Sequence, residues 1–173
     1  MDVPRISRFG QVPVALKQED RDLGCIPTNL AAVLQAYGVP SNVATEGNLA
    51  RAYQSTINFE RIQAEVLQKT QGMLGYDLSP FRLVHEPGIK RFNDWWNKTT
   101  GWIDEDSPVL FSFKPATAWH IRTAIGYESD KLETYDPWPE QPFQVVETTK
   151  QELQQKWKLG HLAGELLALT YSR

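Results

Sequence analysis

The sequence predicts an α+β fold in one domain, residues 1–173, with a helical part over about 1–106 packed on an antiparallel sheet part over about 107–173. Two observations carry this. Up to Trp96 the apolar residues recur at helical spacing, whereas from Ser107 onward β-branched and aromatic residues gather in short extended runs. The two patterns are also segregated along the chain, where βαβ units would interleave them.

In order, residues 12–16 read as a short extended segment bounded by Pro13. A helix over 28–37 follows, with Pro27 tolerated in its first turn and Gly38 as its stop. After a turn at 38–42, Thr45 is a plausible N-cap for a helix over 45–55, with Glu46 in the favourable first turn. Asn58 caps a helix over 59–69, whose Phe59, Ile62, Val66 and Leu67 share a face; Gly72 and Gly75 break it. A fourth helix over 89–96 turns Phe92, Trp95 and Trp96 inward, as core or as an interface. Strands then cover 109–113, 119–127, 131–135 and 143–147, with a turn at Ser129-Asp130. A short helix over 150–157 precedes a last strand over 165–171.

Composition narrows the function. Apolar content of 41% and charged content of 23% are ordinary for a globular chain. A net charge of −3 with scattered Lys and Arg argues against nucleic acid and anionic membranes as partners. The first ten residues have no apolar signal core, and no run reaches the roughly 18 apolar residues of a membrane span. The expected location is the cytoplasm, although an effector exported without a cleavable signal reads the same. One cysteine makes no internal disulfide and no multi-thiolate zinc site. His85 and His161 read as surface or loop residues, with no HExxH or paired spacing to favour a metal. No glycine pattern makes a phosphate loop, so no cofactor is expected.

That cysteine, Cys25, lies at the mouth of the first long helix. There the macrodipole is expected to stabilise a thiolate and lower its pKa, unless the residue is simply a small buried apolar group. His120 opens a strand, and the next strand returns to Asp136-Pro137. A two-residue turn at Ser129-Asp130 sets Asp136 opposite Thr123, and a bulge would carry it to His120. Cysteine, imidazole and carboxylate form the set that thiol catalysis requires: a nucleophile, a proton carrier and a group that orients it. The Cys25 N–H and the Gln18 side-chain amide are candidate oxyanion donors. Each residue also has an ordinary reading: a core histidine, a strand-ending Asp-Pro turn, a polar loop glutamine.

The ordered set Val12-Pro13, Gln18, Cys25-Ile26-Pro27-Thr28, Tyr37-Gly38, Pro108-Val109-Leu110, His120, Gly126-Tyr127 and Asp136-Pro137 resembles the papain-like cysteine peptidases, within them the bacteriocin-leader-processing, double-glycine type. The resemblance covers about 12–38 and 108–140, leaving 41–106 unmatched and available to set specificity. It implies Cys25 as nucleophile, His120 as general base and acid, Asp136 as orienting group and Gln18 as oxyanion donor, acting on a protein or peptide substrate through a Cys25 thioester. Transfer to an amine or side-chain deamidation would use the same site. Ile26 stands where such proteins commonly carry glycine, and a branched side chain there could narrow the cleft. An inactive binding module on the same fold, gripping a partner through its tryptophan-rich middle, is the alternative.

Overall fold

The computed structural model describes residues 24–53, 58–116, 118–138 and 145–172. The expected segment at 12–16, Gln18 and the start of the expected strand at 143 lie outside these residues. In chain order the described elements are α1 (Cys25–Ala36), α2 (Glu46–Tyr53), α3 (Phe59–Leu74), β1 (Phe81–Glu86), α4 (Phe92–Asp104), β2 (Val109–Phe113), β3 (His120–Glu128), β4 (Lys131–Tyr135), β5 (Val145–Thr149), α5 (Lys150–Lys158) and β6 (Leu166–Tyr171). None of these helices is long and apolar enough to cross a membrane.

The six strands form one antiparallel sheet in the order β1-β6-β2-β3-β4-β5. Side chains alternate across it, and both faces are covered. One face joins Leu110, Ile121, Ile125, Tyr135, Leu167 and Leu169 to α1, α2 and α3. The other joins Val109, Phe111, Phe113, Ala124, Leu132 and Ala168 to Trp95 and Trp96 of α4 and Leu153 of α5. Burial on both sides explains why 109–111 of β2 and 166–169 of β6 are apolar at every position, without polar alternation. Among the helices, the first three and α4 precede β2, while α5 follows β5.

Several boundaries differ from the sequence reading for local reasons. Gly72 does not stop α3, which runs to Leu74. Gly75 closes it at φ 65°, with its N–H on the Gln71 carbonyl. The strand β1 was not expected; it lies within the helical part, its hydrogen bonds coming from distant β6. α4 begins at Phe92, later than expected, because the Ile89 N–H is committed to the Gly164 carbonyl at 2.8 Å. It then continues to Asp104, with the Thr99 and Thr100 hydroxyls donating to the Trp95 and Trp96 carbonyls. His85 is no loose surface residue: it sits on β1, its Nε2 2.9 Å from Glu165 and its ring edge-on to Phe59.

Candidate active site

Cys25 is the first residue of α1, after Gly24 as N-cap. Apolar Leu30, Ala31, Val33 and Leu34 bury the helix against the sheet, and its first turn is buried too. What sets that turn against β3 is Asn29, fully buried one turn after the cysteine. Its Nδ2 donates to the Cys25 carbonyl at 2.6 Å and to the Ile121 carbonyl at 3.1 Å, and its Oδ1 accepts from the Thr123 hydroxyl at 2.6 Å. The Cys25 thiol meets the main chain of Ile121, the residue after His120.

His120 and Asp136 are brought together, Nε2 to Oδ1 at 2.7 Å. The β3–β4 ladder explains how. Near the turn Glu128 pairs with Lys131 and Tyr127 with Leu132, a register that would oppose Thr123 to Asp136. A bulge between Ala124 and Gly126 shifts the pairing by one, so that Thr123 faces Tyr135 and Asp136 moves one position toward His120. Asp136 Oδ1 also accepts from the Trp138 N–H at 3.0 Å, and Oδ2 accepts from Arg122 Nε at 2.7 Å. Phe113 and Trp138 stand edge-on to the His120 ring, at 5.9 and 5.6 Å between centroids.

Electrostatics corrects one expectation. Burial pushes the Cys25 thiol up, and the charge of Asp136 adds to this; main-chain hydrogen bonding from Ile121, Ile26 and Cys25 itself opposes the rise without overcoming it. The helix start therefore does not lower this thiol's pKa, because a residue 9% exposed loses more by desolvating a thiolate than a first-turn dipole returns. Asp136 goes the other way. Burial alone would raise its carboxyl, yet the His120 hydrogen bond, the charges of His120 and Arg122 and the Trp138 N–H hold it below the ordinary carboxylate range.

Ile26 does not project into a cleft. It is 1% exposed and belongs to the core beneath α1. Asn29 and Arg122 were missed from the sequence, although each is a polar residue beside apolar ones in a predicted element, Asn29 before Leu30–Leu34 and Arg122 after Ile121. A polar residue at a core position is the signal that could have found them.

Comparisons with known proteins fit this geometry. No curated protein matches. The peptidase domain of Streptococcus ComA, a bifunctional ABC transporter involved in a quorum-sensing pathway, superposes with a TM-score of 0.60 at 17% identity, covering 91% of this chain and 98% of that one. A double glycine motif protease from an AMS/PCAT transporter, in complex with the leader peptide, gives 0.55 at 14% identity, covering 90% and 89%. The peptidase domain of Streptococcus mutans ComA gives 0.51 at 15%, covering 90% and 98%. These likenesses show the fold. The family model extends through the middle of the chain, so the stretch 41–106 that the sequence reading left unmatched lies inside it. Described as the Peptidase_C39-like family, that model matches residues 2–161, and the chain belongs to this family of cysteine-peptidase type.

Proposed function

We propose that this protein is a cysteine peptidase that opens peptide or isopeptide amide bonds through a thioester on Cys25. The observation that carries the reading is the buried His120–Asp136 pair at 2.7 Å, one residue along the chain from the main chain that the Cys25 thiol meets. A carboxylate accepts hydrogen bonds only, so Nε2 of His120 carries the hydrogen in this pair, which leaves Nδ1 as the ring nitrogen to exchange protons with the thiol.

On this reading Nδ1 takes the thiol proton as Sγ adds to the scissile carbonyl carbon. The imidazolium, held by Asp136, then protonates the departing amine nitrogen as the C–N bond breaks, leaving the thioester. Water, giving its proton to Nδ1, adds to the thioester; the carboxylic acid leaves and Sγ recovers the proton. The developing oxyanion is assigned to the Cys25 N–H and the Gln18 amide. Burial raises the thiol's pKa, which places the demand for its deprotonation on a neighbouring base. The buried Ile26 side chain removes the steric objection to catalysis. The packing of α1 on β3 supports reading the helical and sheet parts as one domain.

The leader peptide bound by the double glycine motif protease suggests the first substrates: peptides carrying a double-glycine segment. Wild type is expected to cleave within this set. Cys25→Ala and His120→Ala should lose at least about a hundredfold in rate, and mass spectrometry should trap an acyl group on Cys25. Cleavage that persists in Cys25→Ala would overturn the proposal. Product masses separate hydrolysis from amine transfer and from side-chain deamidation.

A further inference from the structure

We propose that Arg122 is a positioning residue for this site: it fixes the Asp136 carboxylate that His120 meets. The proposal rests on the peptidase reading for its meaning and on geometry for its substance. Asp136 follows the last residue of β4, and its side chain is 5% exposed. Oδ1 serves His120 and the Trp138 N–H; Oδ2 is held by Arg122 Nε at 2.7 Å. Occupying both oxygens at once prevents the carboxylate from turning about its Cβ–Cγ bond.

Arg122 is itself fixed. It lies two residues after His120 on β3, on the same face of the strand. Its other terminus donates to the Thr148 hydroxyl of β5 at 3.3 Å. Its guanidinium lies 4.6 Å from the centre of the Phe113 ring, the ring that also meets His120. Arginine suits this place because the planar, permanently charged fork reaches the carboxylate, the hydroxyl and the ring together.

The electrostatic consequence follows from the number of partners. Groups facing Asp136 are His120 and Arg122 from β3, the Trp138 N–H, Tyr135 beside it in the chain and, at longer range, Cys25 on α1; Lys156 of α5 lies over the far partner, Phe113, at 5.7 Å. A lone carboxylate would stabilise an imidazolium fully. A carboxylate already paired with a fixed cation stabilises it less.

The test is a titration of His120 by NMR of the 15N-labelled imidazole. Arg122→Met and Arg122→Gln remove the charge and should move the midpoint up by about one pH unit, whereas Arg122→Lys should leave it near wild type. Against cleavable peptides, the Met variant should lose at least about tenfold in kcat with KM little changed. Unmoved midpoints in folded Met and Gln variants would overturn the proposal, even if their thermal stability had dropped. Arg122→Gln keeps a donor for Oδ2 and answers the charge question should Arg122→Met fail to fold. Because the titration reads His120 directly, an inert Cys25 would defeat the peptidase reading without deciding this one.

Discussion

At the scale of single residues, Asn29 decides how Cys25 is presented. Its amide bridges the first turn of α1 and the first residues of β3, and its oxygen receives the buried Thr123 hydroxyl. Truncation leaves that hydroxyl without its acceptor and the Ile121 carbonyl without its side-chain donor, inside a buried interface. Asn29→Ala is expected to cost about 2–4 kcal/mol in urea denaturation, and Thr123→Val about 1 kcal/mol, because the latter removes a single bond. The same Asn29→Ala protein should show slower active-site acylation than its remaining folded fraction explains. Cys25 itself was legible as a candidate nucleophile from its helix-start position. The direction of its pKa was not, because desolvation depends on what covers the thiol and the sequence pattern does not reveal that.

Among elements, the β3–β4 hairpin shows where pattern reading succeeds and where it stops. The turn at Ser129-Asp130 and both strands were readable from β-branched residues and turn chemistry, and Ser129 takes the left-handed φ of 52° that the tight turn needs. The bulge at Ala124/Gly126 was expected only as an option, since one extra residue leaves no clear mark in an apolar run. β1 escaped altogether. It is an edge strand whose partner β6 lies far along the chain, so nothing local completes it. The approach to α4 has a similar long-range cause at Gly164, where an added Cβ would come within 2.2 Å of the Ile89 carbonyl oxygen. Gly164→Ala should therefore displace the segment leading into α4, at a cost of about 2–4 kcal/mol, with an altered fluorescence of Trp95 and Trp96. Preservation of both the stability and the emission would contradict this account of the packing.

For the molecule as a whole, stability and the candidate site share a titrating group. Folding lowers the Asp136 pKa below its ordinary value of 3.8, so its contribution is present above that value and is lost as pH falls through the lower, folded one. Acid unfolding of wild type should steepen below about pH 4, and Asp136→Asn should flatten that part of the curve while being less stable at neutral pH. An unchanged acid limb in the variant would show that other carboxylates dominate. The α+β class and most helices and strands were determined by the sequence alone, because period, caps and turn residues act within a few positions of one another; Cys25, His120 and Asp136 it could offer only as candidates. Tertiary structure decided the rest: helices on both faces of the sheet, the pairing of β1 with β6, the buried Ile26, and the contacts of Asn29 and Arg122. Each depends on groups distant in the chain that only burial brings within reach, and burial is also what reverses the expected direction of the Cys25 thiol.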